Sequence, residues 1–220
     1  MWCIDAPHVN KRINMNTYAE GRLEDKGFTI RYAESGTGQP VIVFPAGDGL
    51  RFDDIAATLA AHYRVIVLDV PDSGLGNRQD VAEHIGQALT RIGVESFSVI
   101  GMSHGTTRAL AQATSTPEHV HRLVLVSPLL ASGQQPQLEA RLSDVKAPTL
   151  VLVGTRDRSG SREAGHLCRS RIPTCHLLLV YDTGQAIASD RREACLSPIV
   201  EFLEQGEGFI VSRESQLIRP

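Results

Sequence analysis

The chain has little of several features that define whole classes of protein. Cysteine is scarce, and the four cysteines in 220 residues follow neither the spacing of a zinc site nor that of a disulfide framework: Cys3, Cys168, Cys175 and Cys195. We therefore expect free thiols in a reducing cytoplasm and no bound metal.

The sequence also lacks an excess of charge of one sign. The net charge is −3, which gives no basic surface of the kind that binds nucleic acid or an anionic membrane. Residues 1–16 include Asp5, Lys11 and Arg12 and contain no apolar stretch, so we expect neither a signal peptide nor a membrane span there. The expected location is cytoplasmic, with neither nucleic acid nor membrane as a partner.

What the sequence does contain is a regular alternation of apolar runs and amphipathic stretches. Continuous runs rich in Val, Ile and Leu predict strands that are buried on both faces: 41–44, 64–68, 122–126, 149–153 and 176–181. Apolar residues at helical spacing predict helices between these strands, and residues 21–34 predict an antiparallel hairpin. The fold class is therefore α/β: a mainly parallel central sheet flanked by helices on both faces, with the N-terminal antiparallel hairpin at one edge.

The predicted organisation is one domain with two terminal extensions. Residues 1–19 form a polar lead-in, residues 20–205 the domain, and residues 206–220 a polar, peripheral tail. Within the domain, the link 129–144 has room for no more than a turn or one small helix. A site beneath so short a link would be shallow and open unless the tail or a partner subunit covered it, and the sequence leaves a homo-oligomer open.

The most informative stretch is Gly101-Met102-Ser103-His104-Gly105, which has the pattern G-x-S-x-G. An apolar run ends at Gly101, and Gly105 opens a helical pattern, so Ser103 is predicted at a sharp, strained turn between a strand and a helix. The two glycines are expected because neighbouring elements crowd such a turn. The turn would direct the Ser103 hydroxyl away from the sheet and set the His104 amide at a helix N-terminus.

Other polar residues follow predicted strands, where the loops of a parallel sheet gather function. Asp157 follows the strand 149–153, and Gln185 lies in the exit loop of the last strand. A serine nucleophile needs a base to take its proton and a carboxylate to orient that base. The plainer interpretations remain open: Ser103 as a turn serine, Asp157 as a helix N-cap, and Gln185 as a polar loop residue that satisfies Asp157.

The chain resembles the α/β-hydrolase family over about residues 21–204. The resemblance rests on the serine motif, the loop 69–76, the strand end Val153-Gly154-Thr155-Arg156-Asp157 and the late loop at Gly184. It implies Ser103 as nucleophile and Asp157 as acid. It also implies two oxyanion-hole amides, one from His104 and the other from Gly47 in the loop Pro45-Ala46-Gly47, and no cofactor.

Two positions depart from the family pattern. Pro45-Ala46 stands where the family usually carries His-Gly, and Gln185 stands where it carries the catalytic histidine. Glutamine can form hydrogen bonds but cannot hold a proton taken from Ser103. None of the eight histidines, including His166 and His176, is expected to replace the missing base.

The first hypothesis is a serine hydrolase that acts on a carboxylic ester or related small acyl compound and is impaired by Gln185. The alternative is a non-catalytic relative that binds a small ligand in the same pocket. A scaffold role for the tail 206–220 is a third interpretation. The sequence itself names no substrate.

Overall fold

A mainly parallel sheet forms the centre of the computed structural model of the protein. The structure describes residues 18–25, 28–47, 49–50, 53–70, 78–130, 135–206 and 208–211. The strands are β1 (Ala19–Asp25), β2 (Phe28–Ser35), β3 (Pro40–Phe44), β4 (Arg64–Asp69), β5 (Phe97–Met102), β6 (Val120–Val126), β7 (Thr149–Gly154) and β8 (Cys175–Val180). The helices are α1 (Asp54–Leu59), α2 (Arg78–Arg91), α3 (Gly105–Ser115), α4 (Pro136–Ala140), α5 (Ser161–Arg171), α6 (Ile187–Asp190), α7 (Arg192–Gln205) and α8 (Gly208–Val211).

The strand order confirms the predicted architecture. The eight described strands lie in the order β1-β2-β4-β3-β5-β6-β7-β8. Strand β2 pairs antiparallel with both β1 and β4, and every later pair is parallel. The carboxyl ends of the parallel strands therefore meet at one edge of the sheet, where the loops of an α/β fold carry function.

The core lies on both faces of this sheet because successive side chains of a strand point to opposite sides. In β3, Ile42 and Phe44 join the apolar cluster packed beneath helices α2, α3 and α5, whereas Val41 and Val43 join the cluster beneath α1 and α7. All four side chains are at most 1% exposed. This two-sided burial explains why the strands appear in the sequence as continuous apolar runs rather than as alternating patterns.

The link between β6 and β7 is short. In its described part, it contains the five-residue helix α4 and one 3-10 turn, Leu142–Asp144. Residues 131–134 of the link lie outside the described residues.

The C-terminal end of the domain lies later than the sequence predicts. Phe209, in the segment predicted as a tail, is 2% exposed, and its ring packs edge-on against Phe202 of α7 at a centroid distance of 5.9 Å. The packed chain therefore extends beyond the boundary predicted at residue 205, because an apolar side chain in an otherwise polar segment has a place to dock. The lead-in 1–17 and the rest of the tail, 212–220, lie outside the described residues.

Candidate active site

Ser103 lies at a strained turn between β5 and α3. Its φ angle is +48°, in the left-handed region that residues other than glycine rarely adopt. The amide of Ser103 donates a hydrogen bond to the carbonyl of Val126, at the end of the adjacent strand β6, over 2.8 Å. This geometry confirms the predicted strand-to-helix turn. A strained backbone conformation of this kind persists only where many surrounding contacts hold it in place.

The two glycines of the motif are required by close packing. A Cβ atom at Gly101 would lie 2.6 Å from the Cβ of Ala109, and one at Gly105 would lie 2.3 Å from the carbonyl oxygen of Phe44. Both distances are shorter than real carbon contacts allow, which confirms the expected crowding. The contact at Gly105 also sets the start of α3 against the end of β3, so the turn borders the loop that contains Gly47.

The two proposed oxyanion donors lie on this same edge of the sheet. His104 directly precedes α3, with an exposed side chain that makes no capping hydrogen bond. Gly47 is exposed, and a Cβ atom there would meet nothing within 4 Å. The loop is tied to β4, because the amide of Gly49 donates to the carboxylate of Asp69 over 3.1 Å and Asp69 pairs with Arg31.

The carboxylate of Asp157 is buried and engaged by its own turn. One oxygen accepts hydrogen bonds from the amide and hydroxyl of Ser159, at 2.8 and 2.6 Å, and the other accepts from the hydroxyl of Ser161 at 2.7 Å. The N-cap of α5 is Gly160, so Asp157 is not the cap residue itself. Its carboxylate instead stabilises, through these hydrogen bonds, the turn that leads into α5.

The exit loop of β8 packs tightly against the loop that bears Asp157. The amide of Arg156 donates to the carbonyl of Thr183 over 2.9 Å, and a Cβ atom at Gly154 would lie 2.3 Å from the carbonyl oxygen of Gly184. These contacts fix the loop from which Gln185 projects.

Gln185 reaches Ser103, the residue predicted as the nucleophile. Its Nε2 donates a hydrogen bond to the Oγ of Ser103 over 3.2 Å. In the part of the chain that the structure describes, its side chain bonds to Ser103 and makes no hydrogen bond to Asp157, so the interpretation of Gln185 as a partner that satisfies Asp157 is wrong. Ser103 is half-buried and Gln185 is exposed, so the contact lies at the open edge of the site.

In the described ranges, no histidine side chain takes part in this contact. His166 lies on α5, and His176 lies near the start of β8, at the opposite edge of the sheet from Gln185. Burial and the nearby Arg169 lower the pKa of His176 from its usual value. Among the described residues, no histidine makes a hydrogen bond to Ser103.

Sequence reasoning missed one residue of the site, Ser127. It directly follows β6 with a φ of +47°, and its hydroxyl donates to the main-chain carbonyl of Gln185 over 2.8 Å. A polar residue directly after a buried parallel strand was the available signal, because such residues lie at the edge where the loops meet.

Neither a metal centre nor a membrane helix is found in the described ranges. No group of three or more His, Cys, Asp or Glu residues there could hold a metal ion. No helix there is both long and apolar enough to cross a bilayer.

Comparison with known proteins identifies a common fold. A family model described as alpha/beta hydrolase fold matches residues 39–148, half of the chain. A 2-hydroxy-6-oxononadienedioate/2-hydroxy-6-oxononatrienedioate hydrolase of Paraburkholderia phymatum is 31% identical over 112 residues, which cover 44% of this chain and 39% of the relative. A putative protein-lysine deacylase of Rattus norvegicus is 23% identical over 209 residues, which cover 85% of this chain and 96% of the relative.

A solved structure agrees with the family match. The carboxylesterase of Bacillus subtilis superposes with a TM-score of 0.70 at 15% identity, covering 85% of this chain and 92% of that protein. At this identity the likeness concerns the fold alone. The chain spans 30% to 43% of the length of the first four curated relatives it matches.

Proposed function

The chain belongs to the α/β-hydrolase fold family, and we propose that it uses the site at Ser103 to bind and cleave a carboxylic ester or related small acyl compound. In this proposal Ser103 is the nucleophile, the amides of His104 and Gly47 form the oxyanion hole, and Asp157 is the acid. Gln185 occupies the position of the base, so hydrolysis by this chain is slow.

The observation that carries the proposal is the hydrogen bond of 3.2 Å from Gln185 to Ser103. The side chain at position 185 has its nitrogen at hydrogen-bond distance from the nucleophile, which is where a general base must be. An amide nitrogen donates hydrogen bonds and accepts no proton. The geometry of the base is therefore kept while its chemistry is lost, and loss of a triad base lowers the rate by about 10⁵- to 10⁶-fold.

The remaining groups still favour acyl chemistry. The Ser103 oxygen would attack the acyl carbon and lose its proton to water, because Gln185 cannot take it. The negative charge that develops on the carbonyl oxygen would be stabilised by the two amides and by the N-terminus of α3, the alcohol would leave with a proton from water, and a second water would cleave the acyl-serine. Removal of an acyl group is also the chemistry named for the rat relative, a putative protein-lysine deacylase. The free thiols of Cys168, Cys175 and Cys195 support a cytoplasmic location, which is part of the proposal.

The test restores the base. Hydrolysis of a short-chain p-nitrophenyl ester is measured for the chain as it exists, for Gln185→His, and for Gln185→His combined with Ser103→Ala. We expect Gln185→His to raise kcat/KM by about 100- to 10,000-fold, the usual contribution of general base catalysis. This is only part of the loss given above, because the carboxylate of Asp157 is bound by Ser159 and Ser161 and would orient the new histidine poorly. The gain should appear as pH rises through about 6.5, where imidazole loses its proton, and it should vanish with Ser103→Ala. A folded Gln185→His chain with no gain at any pH would overturn the proposal.

A second candidate function is ligand binding without turnover. Two observations favour it. The Ser103 oxygen accepts a hydrogen bond from Gln185, so the hydroxyl proton of Ser103 is free to bind a ligand. The carboxylate of Asp157 is already bound by the hydroxyls of Ser159 and Ser161. The hydrogen-bond donors of Ser103 and Gln185 suit a ligand with a carbonyl or carboxylate oxygen. This candidate predicts saturable binding of such a ligand in a thermal-shift screen, retained in Ser103→Ala, with no product formed by any variant.

A further inference from the structure

Ser127 holds an unusual conformation directly beside the Ser103 site. Its φ angle of +47° lies in the left-handed region, and the residue is 1% exposed. For a residue other than glycine, this conformation is unfavourable, and buried strain of this kind is kept where neighbouring contacts enforce it. The contacts that enforce it are therefore informative.

Those contacts connect Ser127 to two neighbouring strand ends. Its amide donates to the carbonyl of Leu152, in β7, over 2.9 Å, and its hydroxyl donates to the carbonyl of Gln185, beyond β8, over 2.8 Å. The preceding residue, Val126, accepts the hydrogen bond from the amide of Ser103. One dipeptide thus contacts the main chain of both Ser103 and Gln185, the two residues whose side chains meet.

The rest of the exit loop is held by other groups. Thr155 accepts from the amide of Asp182 over 3.0 Å, and Thr183 accepts from the amide of Arg156. These bonds fix the first half of the loop. The Ser127 hydroxyl ties the second half, at Gln185 itself, to the sheet.

We propose that Ser127 is a positioning residue: its hydroxyl fixes the main chain at position 185 so that the side chain there reaches the oxygen of Ser103. In this interpretation, the left-handed φ of Ser127 turns its hydroxyl towards the carbonyl of Gln185. The hydrogen bond that results offsets the unfavourable backbone conformation. The link to catalysis rests on the proposed function, whereas the positioning of the Gln185 amide does not.

The first test needs no enzymatic activity. The side-chain amide signals of Gln185 are recorded by nitrogen-15 NMR of the full chain and assigned by their loss in Gln185→Met. We expect them to shift in Ser103→Ala, which removes the acceptor, and to shift or broaden equally in Ser127→Gly and Ser127→Ala. Glycine relieves the backbone strain and alanine keeps it, so an equal effect assigns the change to the lost hydroxyl.

The matched control is Ser189→Ala. Ser189 is exposed and its hydroxyl donates to the carbonyl of Ala186, one residue beyond Gln185, over 3.0 Å. This variant should leave the Gln185 signals in place. Unchanged Gln185 signals in a folded Ser127→Gly chain would overturn the proposal. A change of these signals in Ser127→Ala but not in Ser127→Gly would also overturn it, because the effect would then come from backbone strain and not from the lost hydroxyl.

The second test uses the Gln185→His chain. There Ser127→Gly should lower kcat by about 10- to 100-fold with KM unchanged, because a misplacement of about 1 Å costs this much. If the NMR shifts appear and Gln185→His has no activity, positioning stands and the proposed hydrolase function fails. If Gln185→His is active and Ser127→Gly leaves kcat unchanged, the positioning proposal fails and the function stands.

Discussion

The side-chain amide of Gln185 donates a hydrogen bond to the hydroxyl oxygen of Ser103 over 3.2 Å, although 82 positions separate the two residues in sequence. The bond makes the serine oxygen an acceptor, so the serine proton points elsewhere. Because a carboxamide does not titrate, the contact persists across the pH range in which a histidine would switch. The hydrogen bond between position 185 and Ser103 is therefore present in a form that does not depend on the titration of either side chain.

The glycine at the start of α3 should contribute strongly to the stability of the fold. Gly105→Ala places a Cβ atom 2.3 Å from the carbonyl oxygen of Phe44, a main-chain atom that cannot move aside without shifting β3. We expect the free energy of unfolding, measured by urea denaturation followed by circular dichroism, to fall by at least about 3 kcal/mol.

The matched control for this change is Gly184→Ala. A Cβ atom at Gly184 meets nothing within 4 Å, so its effect should stay within about 0.5 kcal/mol. If Gly105→Ala and Gly184→Ala had the same free energy of unfolding, the close contact between Gly105 and Phe44 of β3 would be contradicted.

Asp157 should stabilise the domain whether or not it takes part in catalysis. Asp157→Ala removes the acceptor of three hydrogen bonds from Ser159 and Ser161, so we expect a loss of about 2–3 kcal/mol in the free energy of unfolding. The control is Asp54→Ala, since Asp54 is exposed and its ion pair with Arg192 should contribute less than about 1 kcal/mol. Similar losses for both variants would show that the Asp157 turn contributes no special stability.

The buried thiols should be unreactive in the folded protein. Burial raises the pKa of Cys168, Cys175 and Cys195 from 9.0 to about 12, so almost no thiolate is present at pH 8. In a Cys3→Ala chain, we expect Ellman's reagent to label these thiols only as fast as the protein unfolds. Rapid labelling of a folded chain would contradict the burial.

The same shifts predict a loss of stability in alkali. A thiol whose pKa is raised by folding stays protonated in the folded state while the unfolded state loses its proton above about pH 9. The unfolded state then binds fewer protons, so the free energy of unfolding should fall as the pH rises from 9 towards 12. Cys195→Ala should show a smaller fall over this range than the parent, and an identical fall would assign it to other groups.

The first part of the C-terminal segment should contribute to stability. Phe209→Ala removes a ring that is 2% exposed and packs on Phe202, so we expect a loss of about 3 kcal/mol in thermal or urea unfolding. Tyr181→Ala is the control, because Tyr181 is 47% exposed and its truncation should change stability by less than about 0.5 kcal/mol. If Phe209→Ala leaves the free energy of unfolding unchanged, the segment after residue 205 does not contribute to the stability of the domain.

Much of the fold follows from local pattern. The doubly buried strands give continuous apolar runs, and the hairpin 21–34 and the turn at Ser103 have characteristic residues, so the α/β class and the turn could be predicted. Gly93, just after α2, has a φ of +75°, and a glycine directly after an amphipathic helix is a local signal for the end of that helix. Phe209 was missed, because one apolar residue in a polar segment has no periodicity and its burial depends on a distant partner on α7.

The sequence by itself determined which chemical groups the protein has: a serine in a G-x-S-x-G turn, an aspartate after a strand, and a glutamine in the exit loop of the last strand, where the family resemblance implies a histidine. Only the tertiary structure decided which of these groups meet. Gln185 bonds to Ser103 and not to Asp157, the carboxylate of Asp157 is occupied by its own turn, and Ser127 bonds to the main chain of Gln185. The physical reason is that hydrogen bonds have a range of about 3 Å, and only the register of adjacent strands brings their loops within that range.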